Sequence, residues 1–177
     1  MTETRNAGAT YFIPSDSERY KAAYYKGGST NAGYWTYPTK SNTAPINTLP
    51  DAGNHANFYD YYDTGNGGYT DPTNRLTAVG AFSASPGPYG TYDQGGDVYQ
   101  WNEANISGEY RGMRGGAWGD ITNSLASSND AGDYPTTGIS GIGFRVASSA
   151  ASPEPGGVAM LLAGALAFGI WRLRRSV

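Results

Sequence analysis

A chain of 177 residues with 26 glycines, 10 prolines and only 15% charged side chains has room for one ordinary domain plus appendages. It lacks the long apolar periodicity of a helix bundle and fits many short strands and ordered loops. A formal net charge of −3 without a basic stripe excludes nucleic acid as a partner, and zero cysteines with one histidine exclude disulfides, thiolate catalysis, zinc fingers and multi-histidine metal centres.

In chain order, the first twelve residues carry no apolar stretch of the signal-peptide kind. Tyr11-Phe12-Ile13 reads as a short apolar strand, stopped by Pro14. Ser15-Asp16-Ser17-Glu18 is a capping box, a serine N-cap with a glutamate three residues on. It predicts a helix over Asp16–Lys26, with Tyr20, Ala23 and Tyr24 on one face and Gly27-Gly28 as the stop. Residues 29–56 read as loop. Within them Tyr34-Trp35-Thr36-Tyr37 is either a sugar-stacking platform or a set of rings folded onto the core. His55 sits in an Asn/Gly-rich loop with no nucleophile-elbow motif nearby, and reads as a surface histidine. Asp60, Asp63 and Asp71 are spread through the next loop; Leu76–Phe82 reads as extended and Ser83–Gly90 as a turn.

Gly95–Trp118, GGDVYQWNEANISGEYRGMRGGAW, is the centre of the pattern. After Gly95-Gly96 the sequence alternates, Val98 and Gln100 on one side, Tyr99 and Trp101 on the other, which is a strand signal. Gly115-Gly116 repeats the device, and glycine pairs let backbone approach backbone. Glu103 and Glu109 are candidates for a glycosidase-like pair, though sequence sets no distance between them. Gly119–Tyr134 is polar, Gly138–Ala147 reads as the last strand, and Ser148–Ser152 is a small-residue linker. Arg145, amid apolar neighbours, reads as a paired core arginine. No phosphate-cradling glycine loop occurs.

The tail is a separate object. Pro153-Glu154-Pro155 precedes the uncharged run Gly156–Trp171, and Arg172-Leu173-Arg174-Arg175 follows. The run predicts a membrane helix over 157–171, with the arginines cytoplasmic and the main domain outside the inner membrane.

Two resemblances add to this reading. Residues 153–177 resemble a PEP-CTERM sorting signal, with its Pro-Glu-Pro motif, hydrophobic helix and basic end. That resemblance implies a Gram-negative envelope protein, anchored in the inner membrane, processed by an exosortase and released to the cell surface or an exopolysaccharide matrix. The body, Tyr11–Ala147, resembles the formylglycine-generating enzyme (sulfatase-modifying factor) family. YFIPSDSERYKAA is similar to its LPSE-type helix start, with Arg19 where a tryptophan is usual. GGDVYQWNE is similar to GNVWEW, with Asp97, Tyr99 and Gln100 as departures; RGMRGGAW is similar to RGGSW, and GFRVA to the closing strand. The resemblance implies an α+β, C-type-lectin-like fold rich in irregular structure. It also implies that residues 1–147 are a domain truncated at its N-terminal side.

The same resemblance implies structural calcium at two oxygen sets. One is Asp93, the Gly96 and Val98 carbonyls and Gln100; the other is Asn57, the Phe58 carbonyl, Asp71 and the Thr73 carbonyl. The bland alternative for these Asp and Asn side chains is turn capping. The family's oxidase uses copper held by two cysteines just after the RGGSW-like motif. The corresponding positions here fall near Asp120 and Leu125, which offer no soft ligand, so no copper is expected. The expectation is an exported binding or structural module without catalysis, with exosortase, membrane and polysaccharide as partners. The alternative is an oxidoreductase whose active residues lie in a missing N-terminal part.

Overall fold

The structure, a computed structural model, describes residues 5–149. The sorting motif Pro153-Glu154-Pro155 and the membrane helix expected over 157–171 lie outside the described residues. Among the described residues, no helix is long and apolar enough to cross a membrane. Every element below lies within the compact unit that ends at Ala147.

After a two-residue strand, β1 (Tyr11–Phe12), comes the one α-helix of the described residues, α1 (Asp16–Tyr24). The capping box is formed: Ser15 Oγ accepts from Glu18 N at 3.3 Å, and the Glu18 carboxylate accepts from Ser15 N at 2.7 Å. The helix ends two residues before the expected Lys26. Tyr25 is already extended (φ −61°, ψ 127°), because it bridges antiparallel to Tyr34 and Lys26 N donates to Gly33 O at 2.8 Å. Gly27 and Gly28, with φ of 68° and 107°, reverse the chain inside that bridge and do not cap the helix.

Short strands β2 (Tyr59–Asp60) and β3 (Gly68–Tyr69) pair antiparallel. The main sheet has four strands: β4 (Tyr99–Ser107), β5 (Tyr110–Arg114), β6 (Ala131–Asp133) and β7 (Ile142–Phe144). Their order is β6-β5-β4-β7, with β4–β5 an antiparallel hairpin and β7 parallel to β4. The expected last strand over Gly138–Ala147 is regular in β7 and again at its final residue, Ala147, while before β7 Ile142 N closes a turn on Ile139 O. Alternation in β4 holds, but its fully buried side is polar, made of Gln100 and Asn102. Among the described residues the buried apolar cluster is small, Tyr37, Ala56, Phe58, Leu125 and Ala126, with Tyr24, Phe82 and Met113 buried outside it.

The two glycine pairs meet. Gly96 N donates to Gly115 O at 2.8 Å, and a Cβ on Gly96 would lie 2.3 Å from the Asn57 carbonyl oxygen. Leu76–Phe82, expected to be extended, is a run of turns instead. Two of its amides go to carboxylates, Thr77 N to Asp97 Oδ1 at 2.9 Å and Gly80 N to Asp93 Oδ2 at 3.1 Å, and Leu76 N and Ala81 N close local turns on Asn74 O and Ala78 O, so no ladder forms, and Val79 is left almost wholly exposed.

Candidate functional site

The segment leading into β4 carries three of the residues predicted for a site, Asp93, Gly96 and Val98, and β4 itself carries Gln100. Asp97 is its staple. Its carboxylate accepts from Asn57 Nδ2 at 2.6 Å and from Thr77 N and Oγ1, while its backbone N donates to Asn57 O and its carbonyl accepts from Trp118 N. One aspartate thereby joins three distant loops.

The first predicted oxygen set converges in part. Asp93 Oδ2 accepts from Gly80, but Asp93 Oδ1 is buried and finds no hydrogen-bond partner among the described residues. Burial, above all, pushes the Asp93 carboxyl above its ordinary value. The Gly80 bond and Arg145 oppose that, and the Asp97 charge adds to it. Gln100 is committed elsewhere: its Oε1 accepts from Arg145 Nε at 2.8 Å, and its Nε2 donates to Asp93 O at 3.1 Å. Arg145 Nη2 also donates to Asp93 O at 2.6 Å and Tyr92 O at 2.7 Å, so its pairing is with carbonyls and an amide. Gly96 O accepts from Val98 N at 2.7 Å.

The second set is drawn apart. Asn57 donates to Arg75 O at 2.8 Å and to Asp97, leaving Asn57 Oδ1 buried without a partner among the described residues. Phe58 O accepts from Asn47 Nδ2 at 3.2 Å. Asp71 closes its own turn, with Oδ1 accepting from Thr73 N at 2.8 Å and Asn74 N at 3.0 Å, and Oδ2 from Asn74 Nδ2 at 2.8 Å. These bonds hold its carboxyl below the ordinary value, led by that from Asn74 N. Each set therefore keeps one buried side-chain oxygen without a partner among the described residues, Asp93 Oδ1 or Asn57 Oδ1. Among the described residues no three His, Cys, Asp or Glu side chains group as a metal site, so a cation here would depend on neutral oxygens.

Beyond Trp118 the side chains serve the fold. Asp120 Oδ2 accepts from Ala117 N at 2.9 Å, and its carbonyl accepts from Tyr59 N at 2.8 Å. Leu125 is fully buried in the apolar cluster, and its carbonyl accepts from Tyr24 Oη at 3.0 Å.

His55 is buried, not on the surface as expected, because its loop is pinned on both sides. His55 N donates to Ser85 Oγ at 2.8 Å, and His55 Nδ1 lies 2.8 Å from Thr48 O. Asp51 completes a Ser-His-Asp cluster that is not a triad. Ser85 Oγ donates directly to Asp51 Oδ1 at 2.7 Å, whereas a nucleophile would donate to the imidazole. The adjoining cavity, about 10 Å³, admits one water and no substrate. Glu103 and Glu109 do not face each other as acid and base. Glu103 accepts from Arg5 Nε with both oxygens (2.9 and 2.8 Å), while Glu109 is exposed at the hairpin turn. The Tyr34–Tyr37 rings fold back, Tyr34 lying 4.7 Å from Tyr20, Lys26 over Trp35, and Tyr37 in the core.

Two arrangements escaped the sequence reading. Asp16, read only as the first residue of the helix, forks onto Arg114 with bonds of 2.5 and 2.9 Å. Arg19 is buried at 1% exposure; Nη2 donates to Gln94 O, while Nε and Nη1 find no partner among the described residues. Burial pulls its guanidinium down to about 10. Finally, a groove of about 710 Å³ opens between the segment before α1 and β4.

The family model described as Sulfatase-modifying factor enzyme 1-like domain matches residues 3–150, and the chain belongs to that family. Among solved structures it is similar to PvdO from Pseudomonas aeruginosa, at 24% identity and a TM-score of 0.48, covering 77% of this chain and 51% of that one. It is also similar to Treponema denticola variable protein 1, at 21% identity and a TM-score of 0.44, covering 79% of this chain and 48% of that one. The chain spans about half the length of each. No protein of curated function matches.

Proposed function

We propose that this sulfatase-modifying-factor-like domain is a non-catalytic binding or structural module of the bacterial cell surface or its exopolysaccharide matrix. One observation carries the reading: the positions where the family's copper ligands would fall are built into the fold. Asp120 caps the Ala117 amide, and Leu125 sits at the centre of the apolar cluster. Neither is a soft ligand, and freeing Leu125 would open the core. In this proposal the tail delivers the domain through the inner membrane, anchored there until an exosortase acts at Pro153-Glu154-Pro155. A structural calcium ion at Asp93, with the Gly96 and Val98 carbonyls, belongs to the same proposal.

The experiment uses the full chain, supplied with copper(I) and a cysteine-containing sulfatase peptide in an oxygen electrode. The same preparation is tested for retention on extracted exopolysaccharide. No oxygen uptake above the peptide blank, together with retention on the polysaccharide, is the expected result. Copper-dependent oxygen uptake would overturn the non-catalytic half, and failure to be retained would overturn the binding half.

A further inference from the structure

We propose that the groove between the segment preceding α1 and strand β4 is a binding site for a neutral saccharide chain. This deepens the binding reading above and rests on it. The groove's volume, about 710 Å³, falls within the roughly 300–1,000 Å³ usual for small-ligand sites. Its wall combines two chemistries. Tyr11, Ile13 and Trp101 supply apolar surface, and Tyr11 is 72% exposed although it begins a strand. Arg5 and Glu103 supply the polar edge.

The polar edge is fixed before any ligand arrives. Arg5 Nε donates to both Glu103 oxygens, and its Nη1 and Nη2 donate to the Glu18 carboxylate. The Arg5 guanidinium also lies 3.8 Å from the centre of the Phe12 ring, so that ring face is already covered. Arg111 Nη1 donates to the Glu103 carbonyl at 2.9 Å. Side chains locked this way lose little freedom on binding.

A ligand matching this wall needs an apolar face and a rim of groups that both donate and accept. A pyranose ring has that form, with C–H bonds on its face and hydroxyls around it. Tyr11 and Trp101 present apolar bodies for the face. The remaining lone pairs of Glu103 and the Arg5 fork take hydroxyls. Two arginines, Arg5 and Arg111, line the groove and are matched in number by Glu18 and Glu103, the two carboxylates that hold Arg5, and the whole chain carries −3, so the groove offers hydrogen bonds without a net positive edge. That favours a neutral glycan over a polyuronate.

The test titrates the full chain by calorimetry with malto-, cello- and laminarihexaose, and with alginate, at low and high salt. At least one neutral hexasaccharide is expected to bind with an affinity little changed by salt. Tyr11→Ala should weaken it about three- to tenfold, while Tyr11→Phe, which keeps the ring, should not. Tyr11 is exposed enough for both variants to fold, and Glu103→Gln gives a second reading through the polar edge. Binding to alginate alone, lost at high salt, would overturn the proposal, as would no binding to any neutral hexasaccharide. Retention on exopolysaccharide that survives Tyr11→Ala and Glu103→Gln undiminished would overturn the groove alone and leave the binding module standing. Loss of all retention by the unaltered chain would overturn both.

Discussion

Replacing Gly96 by alanine tests the crossing on which the centre of the domain is built. The residue has φ of +83°, where an L side chain is strained by roughly 1–2 kcal/mol. The added Cβ would lie 2.3 Å from Asn57 O, 3.0 Å from Asn57 N and 3.1 Å from Asn57 C. All three are backbone atoms, and Asn57 O is held by the Asp97 amide at 3.0 Å, so no rotamer change relieves the clash. Overpacking of this kind costs about 1–3 kcal/mol. The sum, roughly 2–5 kcal/mol, is a large share of the 5–15 kcal/mol typical of a domain. Gly90→Ala is the matched control: its φ is +72°, and a Cβ there meets nothing within 4 Å. It should show the backbone cost alone, about 1–2 kcal/mol. Urea unfolding of the full chain, followed by tryptophan fluorescence, gives both values. If Gly96→Ala costs no more than Gly90→Ala, the Asn57 backbone yields freely, and the crossing does not hold these loops together.

Asp93→Asn should flatten part of the pH dependence of stability. The folded carboxyl titrates above its unfolded value, chiefly through burial. Its contribution is full below the unfolded pKa and is lost as pH rises through the folded one. Asparagine can still accept from Gly80 N, so in chelator the variant should unfold at a higher midpoint at neutral pH and lose the calcium-dependent rise in melting temperature expected of the unaltered chain. A lower midpoint, or a calcium shift that survives, would refute this. Arg19→Met removes a buried cation whose Nη2 donates to Gln94 O and whose Nε and Nη1 find no partner among the described residues. The variant should range from neutral to about 2 kcal/mol more stable in urea. A loss of similar size would mean that the Gln94 bond outweighs the cost of burying the charge.

What was legible in the sequence is what local chemistry decides. The Ser15–Glu18 box needs only four consecutive residues and forms as written. Strand β4 follows from the alternation after Gly95-Gly96, and the two glycine pairs meet because a side chain there would clash. The failures depend on partners remote in sequence. Leu76–Phe82 has an apolar composition suited to a strand, but carboxylates from the segment before β4 claim the Thr77 and Gly80 amides. The end of α1 is set by the Tyr25–Tyr34 bridge, which outweighs the helical tendency of Lys26. His55 is buried because Ser85, thirty residues on, takes its amide.

The candidate site was harder to read for a compositional reason. A domain with so small an apolar cluster and so much loop has many backbone groups without ladder partners, and buried backbone must be paired. Asp and Asn side chains supply those pairs, and they are also the residues that bind calcium. Type and spacing therefore cannot separate a staple from a ligand. Geometry can, by counting what each oxygen already accepts. Asp71 has both oxygens engaged within its own turn, and Gln100 has given its oxygen to Arg145. Asp93 Oδ1 and Asn57 Oδ1 are buried with nothing to accept among the described residues, an arrangement that costs roughly 1–3 kcal/mol per group. A cation or a water recovers that energy. Asp93 Oδ1 and Asn57 Oδ1 are thereby the side-chain oxygens at which added calcium should act first.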